Sequence, residues 1–341
     1  MFELQILFGN IVAPAAILLF SWLACAAIPA THRSRWTTVV LGLSSSIAIW
    51  TALAVRNGFA WWPEDAWQKV PIAALIVLFT TIIAELFRSK LLQPDVTEQN
   101  SFEQNSSNEA NANPVVINKP AALPNSVHPT STASIVQWIA ITVGALAAAW
   151  LIFPRGDSWA ELQSEQNQWC LVIALSASLA WWGIAGCRPV VAITVAFATI
   201  SLLIASAFLT SLSIMKITEP LIAVATVIGL CSLIALRLGG LKASSQHPHR
   251  PSLLPMMLAP TLFTKASFIA HASFQSYLGL PRTLYFLAML SPAIVALVAR
   301  MSQRKSTGVA IAATISVALI LAASLAAWTY VAGEVGAEPE W

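Results

Sequence analysis

The 341-residue chain is 57% hydrophobic and only 10% charged, with a mean hydropathy of +0.73 and a formal net charge of +3. Its apolar groups exceed what one water-soluble core can hide, so composition excludes a soluble globular protein, and nothing in the charge balance points to a nucleic-acid partner. The lipid bilayer is the expected solvent and first partner.

A hydrocarbon layer ~30 Å thick needs roughly 20 apolar residues of helix at about 1.5 Å per residue. Such runs recur at 5–28, 37–55, 70–88, 135–153, 169–187, 190–212, 219–237, 253–277, 282–300 and 308–331. They are continuous rather than alternating, which predicts helices and not barrel strands. The expectation is an all-α, polytopic transmembrane bundle of ten spans. The first run opens on "MFELQ", with Glu3 and no basic residue, and is too long for a signal-peptide apolar region. It reads as a retained span.

After the second run comes "WWPEDAWQKVP", Trp61 to Pro71, and after the fourth comes "PRGDSW", Pro154 to Trp159. In each, a proline stops the incoming helix and a capping pair follows, Asp65 with Gln68 and Ser158 with Glu161. Both predict a short surface helix that turns the chain into its next span, with Trp61, Trp62, Trp67, Trp159 and Trp169 as interfacial anchors. Glu64 and Asp65 are sequence neighbours that cannot share a helix face, so they do not read as a catalytic pair.

Residues 93–134 are rich in Asn, Ser, Gln and Pro and almost free of aromatic side chains. Such a segment cannot offset its conformational entropy by burial and reads as a disordered cytoplasmic linker. It separates a three-helix membrane unit, 1–92, from a seven-helix membrane unit, 135–341. Placed on this alternation, twelve of the eighteen basic residues fall on the linker side, including Arg33, Arg88, Arg188, Arg300, Arg304 and Lys305. By the positive-inside rule that side is cytoplasmic, and both termini are expected outside.

The eighth run, "PSLLPMMLAPTLFTKASFIAHASFQSYLGLP", is the most polar. Thr264, Ser267, His271 and Gln275 recur at spacings of three or four and form one stripe about 80° wide. Lys265 lies off that stripe near mid-span, where an unpaired ammonium costs roughly 3 kcal/mol and needs a partner, a wet cavity or a route to an interface. These five residues are the candidate polar path. Elsewhere ordinary roles suffice: Glu85 with Arg88 as a local pair, Thr218 and Glu219 as a helix start beside Lys216, and the Thr199, Ser206, Thr210, Ser213 stripe as close packing. His247 and His249 read as loop residues, and Cys25, Cys170, Cys187 and Cys231 as small packing residues.

No phosphate-binding glycine loop, HExxH, CxxC or GxSxG pattern occurs, so no catalytic residue, cofactor or metal site is expected. The Trp-Pro-Glu-Asp-Ala-Trp motif after a second span, with a low-complexity inner loop, resembles uncharacterised multi-pass membrane proteins of planctomycete-type bacteria. The resemblance implies a bacterial inner membrane and carries no activity. Two roles fit these residues: a transporter or channel-like protein with a path along the eighth span, or a non-catalytic scaffold or subunit that associates with itself or with a membrane-protein partner.

Overall fold

A computed structural model describes residues 7–27, 30–57, 66–91, 130–154, 157–213, 215–237, 253–274 and 280–336. Among them are ten α-helices: α1 Ala13–Ala26, α2 Ala30–Asn57, α3 Val70–Leu91, α4 Thr130–Ile152, α5 Gln163–Ala185, α6 Pro189–Ser213, α7 Met215–Ala235, α8 Leu253–Phe274, α9 Arg282–Ser302 and α10 Thr307–Gly336. Each occupies one of the ten apolar runs, and no strand occurs among the described residues. Eight of the described helical segments are long and apolar enough to cross a membrane. The other two are α2, whose apolar stretch Val39–Val55 is shorter, and the polar α8. The fold is that of a multi-pass membrane protein.

The turns follow from local chemistry. Pro14 has no N–H to donate, and the chain meets it through a π-helical turn, Phe8–Val12, in which the Ala13 N–H reaches back to the Phe8 carbonyl. The two predicted surface helices are 3₁₀ turns, Ala66–Lys69 and Asp157–Leu162, each running directly into a membrane helix. Asp65, Trp61 and Trp62 lie outside the described residues, as do His247, His249 and Gln275. The side chains of Glu85, Arg88, Ser158, Trp159, Ser213 and Lys216 also lie outside what is described. Several boundaries move. Residues 130–134, expected in the linker, form the first turn of α4, and 93–129 lie outside the described residues. Thr218 sits inside α7, which begins at Met215, so it does not cap that helix, and its hydroxyl lies 3.2 Å from that of Thr210.

One core cluster takes side chains from both sides of the linker, among them Leu41, Val77, Ile141, Trp181, Val227, Phe263 and Tyr285. The three-helix and seven-helix units therefore share their interior. At its centre stands α8, where every residue from Met257 to Ala272 is buried. A helix enclosed on all sides needs no amphipathic pattern, so its polar residues can point in any direction without meeting lipid. By contrast, only 22% of the α10 span Thr307–Ala332 is buried, and Leu319 and Ile320 lie open at its surface. Apolar surface of that extent is solvated only by lipid.

A register of side-chain bonds along their whole length joins α5 to α9. Arg282 pairs with Glu165 at 2.9 Å, Ser176 Oγ donates to the Met289 carbonyl, Arg300 Nη1 donates to the Trp182 carbonyl at 2.7 Å, and Gln303 Nε2 to that of Gly186 at 2.6 Å. Their sequence separations stay between 113 and 118 along the whole length, so the two helices run parallel. Gly183 lets them touch: a Cβ there would stand 2.6 Å from the Ala296 Cβ and 2.9 Å from its carbonyl carbon. Gly308, with open space around it, has no such duty. In detergent-purified protein, Gly183→Leu is expected to lower unfolding stability by about 1–3 kcal/mol through overpacking, while Gly308→Ala stays within about 0.5 kcal/mol. Thermal melting followed by circular dichroism checks both.

Candidate functional site

The site begins with a missing donor. Pro292 lies inside α9 and has no N–H, so the carbonyl of Ala288, four residues earlier, loses its helical partner. In the interior of a membrane bundle no water replaces it. Lys265 does: its Nζ donates to the Ala288 carbonyl at 2.9 Å and lies 3.3 Å from Ser291 Oγ, while Ser291 Oγ donates to the same carbonyl at 2.9 Å. The Ser176 hydroxyl of α5 covers the next carbonyl, that of Met289. Lys265 is fully buried, so it neither snorkels nor faces lipid. Both its partners are neutral, and among the described residues no carboxylate pairs with it.

The stripe on α8 divides in use. Thr264 spends its hydroxyl on the Pro260 carbonyl of its own helix, 2.7 Å away, as Thr261 does on that of Leu258. Ser267 Oγ and His271 Nε2 are buried without a hydrogen-bond partner. His271 follows Lys265 by six residues, about 9 Å further along the axis and on a different face. Its ring stacks on Phe153 at 5.1 Å; Phe153 in turn meets Phe274 at 5.3 Å, and Phe274 meets Trp169 at 5.8 Å. Trp169 packs on Phe286 at 4.5 Å. Aromatic side chains from α5, α8, α9 and the residue after α4 thus form a connected cluster that meets His271 through Phe153.

Where α8 ends and α9 begins lies a recess of about 480 Å³ lined by Leu162, Glu165, Ser273, Phe274, Leu280, Pro281 and Arg282. Neither His271 nor Lys265 lines it; Phe274 is the shared wall. Glu165 joins the two zones, accepting from Arg282 through one oxygen and from Trp169 Nε1, at 3.4 Å, through the other. Among the expected anchors, Trp67 and Trp169 are buried in the core, so protein contacts rather than headgroups hold their indoles.

Sequence reasoning singled out Lys265 and His271 but missed Ser176, Ser291, Pro292, Phe153 and the Glu165–Arg282 pair. The available signal for the first three was Pro292 itself: a proline in mid-span always leaves a carbonyl to be answered. The remaining polar side chains behave as packing residues. Thr199, Ser206 and Thr210 bond back to their own helix, and none of the four cysteines is in a disulfide. No protein-family model, curated protein or solved structure matches the chain.

Since the Lys265 side chain fills core volume as well as holding a carbonyl, its two roles separate by substitution. Lys265→Ala is expected to cost about 2–5 kcal/mol from the cavity, and the near-isosteric Lys265→Met less than about 1.5 kcal/mol, because Ser291 keeps the carbonyl partnered. Chemical denaturation in detergent reads the difference.

Proposed function

We propose that this is a ten-span protein of a bacterial inner membrane, with both termini outside, that moves a small solute or ion along α8. The observation that carries the reading is the pair of unpartnered polar atoms on the most enclosed helix, Ser267 Oγ and His271 Nε2, with the His271 ring stacked on Phe153 and Phe153 in contact with Phe274, which walls a recess. Polar groups are costly in such surroundings and mark ion or solute routes in membrane proteins. Opening requires the Phe153–Phe274 contact to part. Lys265 then acts as the fixed point, tying α8 to the proline break of α9 while the recess end moves.

The parallel run of α5 and α9 supports the ten-span topology. Three helices, α6 to α8, lie between them, and parallel direction requires an odd number of intervening crossings, which favours counting α8 as a crossing. The basic excess on the linker side supports an inward linker and outward termini. Tags fused to both termini are expected to be removed by protease added to intact spheroplasts; protection of either tag contradicts this topology.

One observation favours the second role, a scaffold that associates with itself or with a membrane-protein partner: Lys265 is spent on backbone and hydroxyl groups. Accessibility separates the two. In a chain with its four cysteines replaced by Ala, His271→Cys is expected to react with a membrane-impermeant thiol reagent from the recess side at least about tenfold faster than Leu258→Cys in the same helix. Equal, negligible labelling at both positions removes the transport reading and leaves the scaffold.

A further inference from the structure

At the end of the bundle opposite the recess, α5 gives way to α6 around Arg188, and α9 to α10 through Gln303–Ser306. The two connections are tied together. The Arg188 backbone N–H donates to Gln303 Oε1 at 2.9 Å, and its guanidinium Nη1 donates to Thr307 Oγ1 at 2.8 Å. This gathers three exposed cations, Arg188, Arg304 and Lys305, at one rim. Arg300 is beside them but already used: its guanidinium lies 3.4 Å from the centroid of the Trp182 ring and donates to the Trp182 carbonyl. The like charges of Arg300 and Arg304 are close enough to act on one another.

Among the described residues no carboxylate pairs with these charges. From Gln166 to Gly333 the sequence holds a single carboxylate, Glu219, and it stands near the start of α7, at the other end of the bundle. Among the described residues the rim is therefore a concentration of positive charge without a paired carboxylate. Its immediate neighbours are exposed and apolar: Val190, Met301 and Val309 follow or separate the basic residues, and Met301 is 70% exposed. Cations level with open aliphatic side chains match one chemistry, an anion that carries its own hydrocarbon.

We propose that this rim binds the headgroup of an anionic phospholipid, with Arg188, Arg304 and Lys305 taking the phosphate and Val190, Met301 and Val309 facing the acyl chains. Basic pockets between membrane helices recognise such headgroups. Arg188 is the positioned member, since its bond to Thr307 fixes the guanidinium between α6 and α10. Arg304 and Lys305 are the adaptable ones, on a turn held by backbone bonds to Met301 and Ser302. A free phosphate would satisfy the charges but leave the apolar neighbours without purpose.

The full chain, purified in mild detergent and mixed with equal amounts of phosphatidylglycerol and phosphatidylcholine, tests this by native mass spectrometry. Retained phosphatidylglycerol is expected to exceed phosphatidylcholine about fivefold or more. The R304Q/K305Q variant, altered only at exposed side chains, is expected to lose most of that preference while melting as the parent does. K69Q, which removes one positive charge before α3, is expected to keep it. Equal retention of the two lipids overturns the proposal, as does a preference that survives R304Q/K305Q or falls equally in K69Q. Displacement of phosphatidylglycerol by millimolar inorganic phosphate overturns it in favour of a soluble anion.

Discussion

The bundle depends on one backbone carbonyl. Pro292 opens α9 in the interior of an apolar protein, and a carbonyl without a donor there costs free energy comparable to a lost hydrogen bond. Lys265 and Ser291 remove that cost, and in doing so they fix the height of α8 against α9. The lysine's own burial, otherwise expensive, is offset by the same contact. Two features that would each destabilise a membrane helix, a mid-span proline and a mid-span cation, thus become one tie between neighbouring helices.

The rest of the interior is arranged around that tie. With α8 held at the centre, α5 and α9 lie parallel beside it, pinned by Arg282–Glu165 at one end and by Arg300 and Gln303 at the other. The ends of α8 differ in consequence. Around Lys265 the ammonium and the carbonyls of Ala288 and Met289 are answered, while the hydroxyl of the neighbouring Ser267 is not. The His271 ring stacks on Phe153 with its Nε2 unanswered, and Phe153 meets Phe274, which walls a recess.

The sequence made the helices legible because lipid imposes a simple rule: each crossing must be a long, continuous apolar run. All ten runs became helices, with ends shifted by several residues, most at the starts of α2, α4, α5 and α7 and the end of α10. Lys265 and His271 were legible for the converse reason, as ionisable residues in an apolar run. Their surroundings were not. The acceptor for Lys265 is a main-chain oxygen, which leaves no mark in residue identity, and the cluster that meets His271 is built from aromatic residues of elements far apart in the chain. Trp67 and Trp169 show the limit of composition-based reasoning: an indole near a span end suits the headgroup layer, but packing against Phe274 and Phe286 places Trp169 in the core. That the stripe would face the bundle was too weak a statement, since α8 has no face that does otherwise.

The central claim is that Lys265 is held by the carbonyl that Pro292 frees, and a double-mutant cycle on unfolding free energy in detergent measures it directly. Pro292→Ala restores an N–H to the Ala288 carbonyl and straightens α9, which takes the acceptor away from Lys265. Pro292→Ala is then predicted to cost at least about 1 kcal/mol more in the wild-type chain than in a chain already carrying Lys265→Met, a coupling within the range of directly contacting residues. Equal costs in the two backgrounds, with the two effects simply additive, would contradict the account.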